Sequence, residues 1–305
     1  MRTITTALLR DAGTIIRTKF TDAMADIDNA VPVYWPGIAE LMPSNDLKEV
    51  YGRIAGLPAY RKWIGARLIH RMEAGDYAIE NEKHELTVSL SGDDLRYDKI
   101  GLRSFMATQQ GSRARQLPDS LVWPAVNGGF AANGPDGVPF FGTNHPLLTA
   151  AGQWVNTGSN YNAGTGPGWF LTGGLPGMKP LILQEAYKPD LVEKFDPKDE
   201  RVFMNDEFVW GSWASYGAGY FLWPLIQASK APLEEDGFNA AYDDFAARVL
   251  DSEVPQALLP TDLWVPTSLR SAAQRVVKAI NLENGKSNTN YEAVKLHVVP
   301  YLANA

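Results

Sequence analysis

Residues 61–95, RKWIGARLIHRMEAGDYAIENEKHELTVSLSGDDL, hold two strand-like runs around a charged tip. A two-stranded ribbon standing alone is marginal in water, so it constrains everything else the chain can do. In Leu86-Thr87-Val88-Ser89-Leu90 apolar and polar residues alternate, which places Leu86, Val88 and Leu90 on one face. Tyr77 and Ile79 share a face in the first run. The sequence beside the ribbon offers no third strand, so the apolar face needs a cover from elsewhere.

A chain of 305 residues can bury a sizeable core, in one large domain or two modest ones. With 45% hydrophobic and 21% charged residues it is globular rather than disordered. A net charge of -7 argues against a protein that grips nucleic acid, yet is compatible with one that encloses it. The absence of cysteine excludes disulfides, thiolate metal sites and a Cys nucleophile, and a cytosolic folding compartment fits. The opening MRTITTALLRDAGTIIRTKF is not read as a signal peptide, because Arg10 and Asp11 interrupt its apolar run. Phe208–Ser229 is uncharged and long enough to cross a bilayer. Its glycines, Pro224 and dense aromatics instead predict buried strands joined by a turn, with no membrane span.

Residues 1–56 read as an arm with some helix, where Pro32, Pro36 and Pro43 keep any helix short and leave little to bury locally. After the ribbon, Ser91, Asp93 and Asp94 are N-cap candidates for a helix over about 95–127. Its spacing places Leu102, Phe105 and Met106 inward and Arg103, Arg113 and Arg115 outward. Pro118 is expected to kink it, and Gly128-Gly129 to end it. Residues 128–176, rich in Gly, Asn and Pro, predict loops and short strands. β-Structure follows from Lys179 to Ser229, then a helix in DGFNAAYDDFAARVLD. The last segment is a β-α-β unit. DLWVP is a strand, Leu269, Ala272, Ala273, Val276, Val277 and Ile280 mark an amphipathic helix, and AVKLHVVP closes as a strand.

Chemical motifs are incomplete throughout. His84 begins an HE pair, but Val88 stands where a zinc-protease helix needs its second His. NGKSN lacks the upstream Gly of a phosphate loop, since position 280 is Ile. Gly164, Gly166 and Gly168 have the wrong spacing for a dinucleotide turn, and no G-x-S-x-G elbow occurs. FDPKDERVFMNDE is acidic without the spacing of a calcium loop. His145 lies in a polar loop without an evident partner. No catalytic, cofactor or metal residue is assigned.

The ribbon and its lead-in do resemble a known family, the major head proteins of Mu-like bacteriophages. Tyr51, Gly52, Pro58, Trp63, Ile64, Gly65 and Arg67 match the family's lead, and Tyr77, Ile79, Asn81, Glu85, Thr87, Val88, Asp93 and Asp94 match its hairpin. GVPFFGTNHPL, WFLTGGLPGMKPLILQEAYKP and LPTDLWVPTSLRSAAQRVV continue the similarity, which reaches most of the chain from about residue 40. Ser91-Gly92 and Trp264 depart from the family's preferences. The resemblance implies an α+β fold of the Hong Kong 97 capsid type. Its parts would be an N-terminal arm over 1–56, an extended loop over 57–95, a peripheral domain with a spine helix at 96–127 and part of the axial domain within 96–250, and axial core over 251–305.

The resemblance also implies a structural protein and not an enzyme, one that self-assembles into hexamers and pentamers of an icosahedral head around double-stranded DNA. Its location would be the virion, and the host cytoplasm during assembly. Portal, scaffold and decoration or head-completion proteins would be partners, beside the DNA it encloses without sequence-specific contacts. The expected contacts between subunits are Trp63, Arg67, Tyr77, Ile79, Leu86, Val88 and Leu90. An encapsulin-like nanocompartment shell of the same fold is the alternative, and a soluble enzyme using His145 is a third.

Overall fold

The computed structural model describes residues 5–26, 31–53, 73–97, 101–149, 153–174, 177–196, 198–251, 254–282 and 285–303. In chain order the elements begin with α1 (Thr6–Ala25), β1 (Ala39–Pro43), β2 (Lys48–Arg53), β3 (Glu73–Glu80), β4 (Glu82–Ser91), α2 (Gly92–Tyr97) and α3 (Leu102–Gly128). Short strands β5 (His145–Leu148), β6 (Trp154–Gly158), β7 (Tyr161–Asn162) and β8 (Trp169–Thr172) follow, then β9 (Leu181–Lys194), α4 (Glu200–Asn205), β10 (Glu207–Tyr220) and β11 (Ile226–Ser229). The end comprises α5 (Glu235–Ala246), β12 (Val249–Leu250), β13 (Val254–Pro255), β14 (Asp262–Val265), α6 (Arg270–Val277) and β15 (Lys295–Val298).

Two sheets organise these elements, a four-stranded one in the order β1-β9-β10-β4 and a five-stranded one in the order β15-β14-β8-β11-β7. The ribbon therefore has a neighbour inside its own subunit. β4 pairs antiparallel with β10 along its whole length, from Glu82 opposite Tyr216 to Ser91 opposite Glu207. The neighbour was hidden by distance, since more than a hundred residues separate the two strands in sequence. β3 pairs with β2 as a separate hairpin, and 54–72 lies between them. The uncharged stretch resolves into β10, a 3-10 turn and β11. Among the described residues no helix is long and apolar enough to cross a membrane.

The arm is more firmly held than its prolines suggest. α1 is capped by Thr5, whose hydroxyl accepts the N–H of Leu8, and buries Leu9, Ala12, Ile16 and Phe20 along one stripe. It crosses α3 at Gly111, where a Cβ would lie 2.3 Å from the Phe20 carbonyl oxygen, so only glycine allows that approach. Further on, Ile38 and Ala39 enter the main core with Val122, Trp123, Phe140, Phe170 and Trp264.

α3 runs unbroken past Pro118 and Pro124 to Gly128, with α2 as a separate short helix before it. Leu102 and Met106 pack inward as the spacing predicts, but Phe105 is 59% exposed. The inward face rotates toward Ala107, Gln110 and Gly111 because α1 lies there. The β-α-β end forms as expected, with β14 and β15 parallel and Ala273, Val276 and Val277 buried. α6 ends before Ile280, which is exposed.

Candidate assembly surface

Successive side chains of β10 point to opposite faces and so sort the first sheet into two faces, although Val209 is buried along with Phe208 and Trp210. Phe208 and Trp210 point inward, joined by Leu90 and Val88 from the paired positions of β4 and by Leu191 of β9. α1 and α3 cover this face. Leu90 is 5% exposed and Val88 half-buried, whereas Leu86, at the paired position opposite Ser212, is 39% exposed. The expectation of a Leu86-Val88-Leu90 stripe left bare by the subunit is thus corrected. Its Leu90 end is core, and only the Leu86 end meets solvent.

Ile79 is likewise internal, at 4% exposure. β3 lies across β10 at its glycines, and a Cβ on Gly219 would sit 2.5 Å from Ile79 Cδ1. The Tyr77 hydroxyl accepts the Tyr220 N–H at 2.7 Å, and the two rings are 6.4 Å apart. Burial pushes the Tyr77 phenol up, only partly offset by that bond. It pushes Tyr220 up to about 12, and the Tyr220 hydroxyl donates to the Ala125 carbonyl at 2.7 Å. Tyr77, partly buried, and Ile79, buried, thus fasten the hairpin base to the subunit's own body. Trp63 and Arg67 lie outside the described residues.

The opposite face of the same sheet carries the solvent-exposed aromatics. Trp213 is 40% and Tyr187 59% exposed, with ring centroids 5.0 Å apart, and Val192 is 55% exposed. Trp213 faces Glu85 on one neighbouring strand and Asp190 on the other. At the sheet's edge a groove of about 380 Å³ runs between Leu86, Pro189 and Trp213 on the strands and Arg113, Ala114 and Leu117 of α3. Sequence reasoning overlooked this face, although the parity of Trp213 against Phe208 and Trp210 points to it.

The structure gives His145 the acidic partner that the sequence did not reveal. Its Nδ1 lies 2.6 Å from Asp136 Oδ2, its Nε2 3.2 Å from Asn160 Oδ1, and its ring stacks 4.2 Å from Trp223. The side chain is fully buried, so no substrate atom can reach the imidazole. The arrangement ties a loop to the core. Among the described residues no group of His, Asp and Glu is placed to hold a metal ion.

Similar proteins carry the interpretation from surface to role. The Mu-like prophage major head subunit gpT family model matches residues 9–302. The major capsid protein of Escherichia phage Mu is 29% identical over 307 residues, 98% of this chain and 99% of that protein. The Mu-like prophage FluMu major head subunit of Haemophilus influenzae is 29% identical over 278 residues, 89% of each chain. A chain of the bacteriophage JBD30 procapsid superposes with a TM-score of 0.85 at 33% identity, covering 98% of this chain and 100% of that one. A chain of the JBD30 capsid gives 0.75 at 26% identity, covering 99% and 100%. With an α+β fold shared along its length with phage capsid subunits, the chain belongs to the family of Mu-like prophage major head subunits.

Proposed function

We propose that this chain is the major capsid protein of a tailed phage or prophage, and that its copies associate into hexamers and pentamers that close as an icosahedral head around double-stranded DNA. The observation that carries this is the near-complete likeness to a procapsid subunit at 33% identity. A closed shell uses heterologous contacts repeated by symmetry, which avoids open filaments. The segment between β2 and β3 and the Leu86 end of β4 then reach a neighbouring copy, and the arm and α3 form the subunit's spine. The role is structural rather than catalytic, in keeping with the enclosed position of His145. Portal and scaffold proteins are natural partners. A decorating protein is another, as the JBD30 capsid is solved with minor capsid protein trimers. The subunit passes from the host cytoplasm into the virion.

Sedimentation velocity and electron microscopy of the expressed chain test this. Rings, shells or tubes are expected. A monomer that stays small at all concentrations and salt conditions, alone and with its co-encoded scaffold, would refute it.

A further inference from the structure

The exposed aromatic pair on the outer sheet face has an unusual setting. Trp213 is flanked across both strands by carboxylates, Glu85 on β4 and Asp190 on β9. Both carboxylates are exposed, and among the described residues neither has an ion-pair partner. Glu85 accepts the Thr87 hydroxyl, at 2.6 Å. One cation already approaches the ring, Lys83 Nζ at 5.8 Å from the Trp213 centroid. A flat indole edged by two carboxylates suits a guanidinium, which stacks on the ring while its N–H groups meet the oxygens. Within the subunit such a surface gains little, because it leaves two large rings in water.

The chain's own composition names an occupant. Residues 54–72 carry Arg61, Lys62, Arg67 and Arg71 and no Asp or Glu, with Trp63, Ile64, Leu68 and Ile69 interspersed. The rest of the chain holds 24 Lys and Arg against 35 Asp and Glu, so the segment is a basic island on an acidic protein. We infer that Trp213, Tyr187, Glu85 and Asp190 form a cation-accepting dock for the arginines of residues 54–72 from a second copy of this chain. This rests on the assembly role proposed above, and gives the contact a charged, salt-sensitive character.

The absence of native cysteine makes the test clean. Asp190→Cys in one tagged copy and Arg67→Cys in a differently tagged copy, co-assembled and oxidised, should give a disulfide joining the two tags. In parallel, Glu85→Lys with Asp190→Lys should leave subunit melting unchanged and cut assembled material by roughly tenfold or more, because like charges then face one another. Adding Arg61→Glu and Arg67→Glu to that variant should restore assembly. Glu85→Gln with Asp190→Asn supplies a milder pair should the Lys variant fold poorly, with assembly expected to fall less and to lose its salt dependence.

Disulfides that join only copies bearing the same tag, or none at all, would overturn the dock. So would unaltered assembly of both face variants, or no recovery in the charge-swapped one. Wild type that assembles while these variants behave so refutes the dock alone. Wild type that never assembles refutes the proposed function, and the dock with it.

Discussion

Asp119 offers the sharpest test of how the arm is held. It lies in α3 directly after Pro118 and is fully buried. Its Oδ1 accepts the backbone N–H of Trp35 at 2.7 Å, that of Tyr34 at 3.1 Å and the Trp123 indole N–H at 2.9 Å, and its Oδ2 also meets the Tyr34 N–H at 3.1 Å. One carboxylate thus fastens the start of the core-entering segment to the long helix. Asp119→Ala strands three donors, the buried Trp123 indole and two partly buried backbone N–H groups. At ~1–3 kcal/mol for each unsatisfied group, with some relief from entering water, the loss should be about 3–6 kcal/mol. That is a large share of a typical domain's ~5–15 kcal/mol. Asp119→Asn keeps an oxygen at the Oδ1 position, where all three donors converge, and should lose only about 1 kcal/mol.

The pH dependence of that pair has a definite sign. Burial pushes the Asp119 carboxyl above the ordinary carboxylate range, and the donors from Trp123, Tyr34 and Trp35 offset only part of this. The native chain therefore holds this proton more tightly than the unfolded chain. The favourable contribution is complete below the unfolded value and is lost as pH rises through the folded value. Asn has no such proton, so its deficit against wild type should widen as pH falls into the carboxylate range. Urea unfolding of unassembled subunits, followed by tryptophan fluorescence and circular dichroism, measures all three proteins. An Ala variant within about 1 kcal/mol of wild type, or an Asn variant as damaged as Ala, would refute the donor count.

Leu90→Ala should lower subunit stability by ~2–5 kcal/mol as a core truncation, while Phe105→Ala on the exposed side of α3 should change it by less than about 0.5 kcal/mol; denaturant melts of both decide the face assignments. Gly219→Ala should push β3 off β10, since its methyl would meet both Ile79 and the Tyr77 hydroxyl; faster hydrogen exchange in residues 73–80 is the readout, and unchanged protection would contradict the packing. At Asp262, burial pushes the carboxyl up but is outweighed by the His297 and Thr261 hydrogen bonds and the charges of His297 and Lys295, so the net value falls. Its stabilisation is present above the ordinary carboxylate value and lost as pH falls through the folded value, so His297→Ala should flatten that part of the acid-unfolding profile.

What the sequence revealed followed the range over which its signals act. The amphipathic spacing of α6 and the short apolar runs of β14 and β15 are local, and Ala273, Val276 and Val277 are buried as their spacing implies. Helix identity in α3 was local too, but its buried face depended on α1, and Phe105 turned outward because the closest approach is made at Gly111. The ribbon shows the limit most plainly. Alternation identified Leu86, Val88 and Leu90 as one face, but the Leu90 end lies beside Phe208 and Trp210, far along the chain, and under α1 and α3. Nothing within the ribbon could distinguish cover by its own sheet from cover by a neighbour.

The surface that does face outward needed a second strand to be seen. Glu85, Trp213 and Asp190 come from three strands, and only the register of β4, β10 and β9 brings two carboxylates to either side of one indole. Sheet pairing thus creates a chemistry that no single segment encodes. It also explains why the Leu90 end of the apolar stripe of β4 is turned into the subunit's own core. A strand with one face in the core presents its polar face outward, and for β4 that face carries Lys83, Glu85 and Thr87. The proposed contact between copies on this side is charged at its edge and aromatic at its centre, so ionic strength is the variable with which to test it.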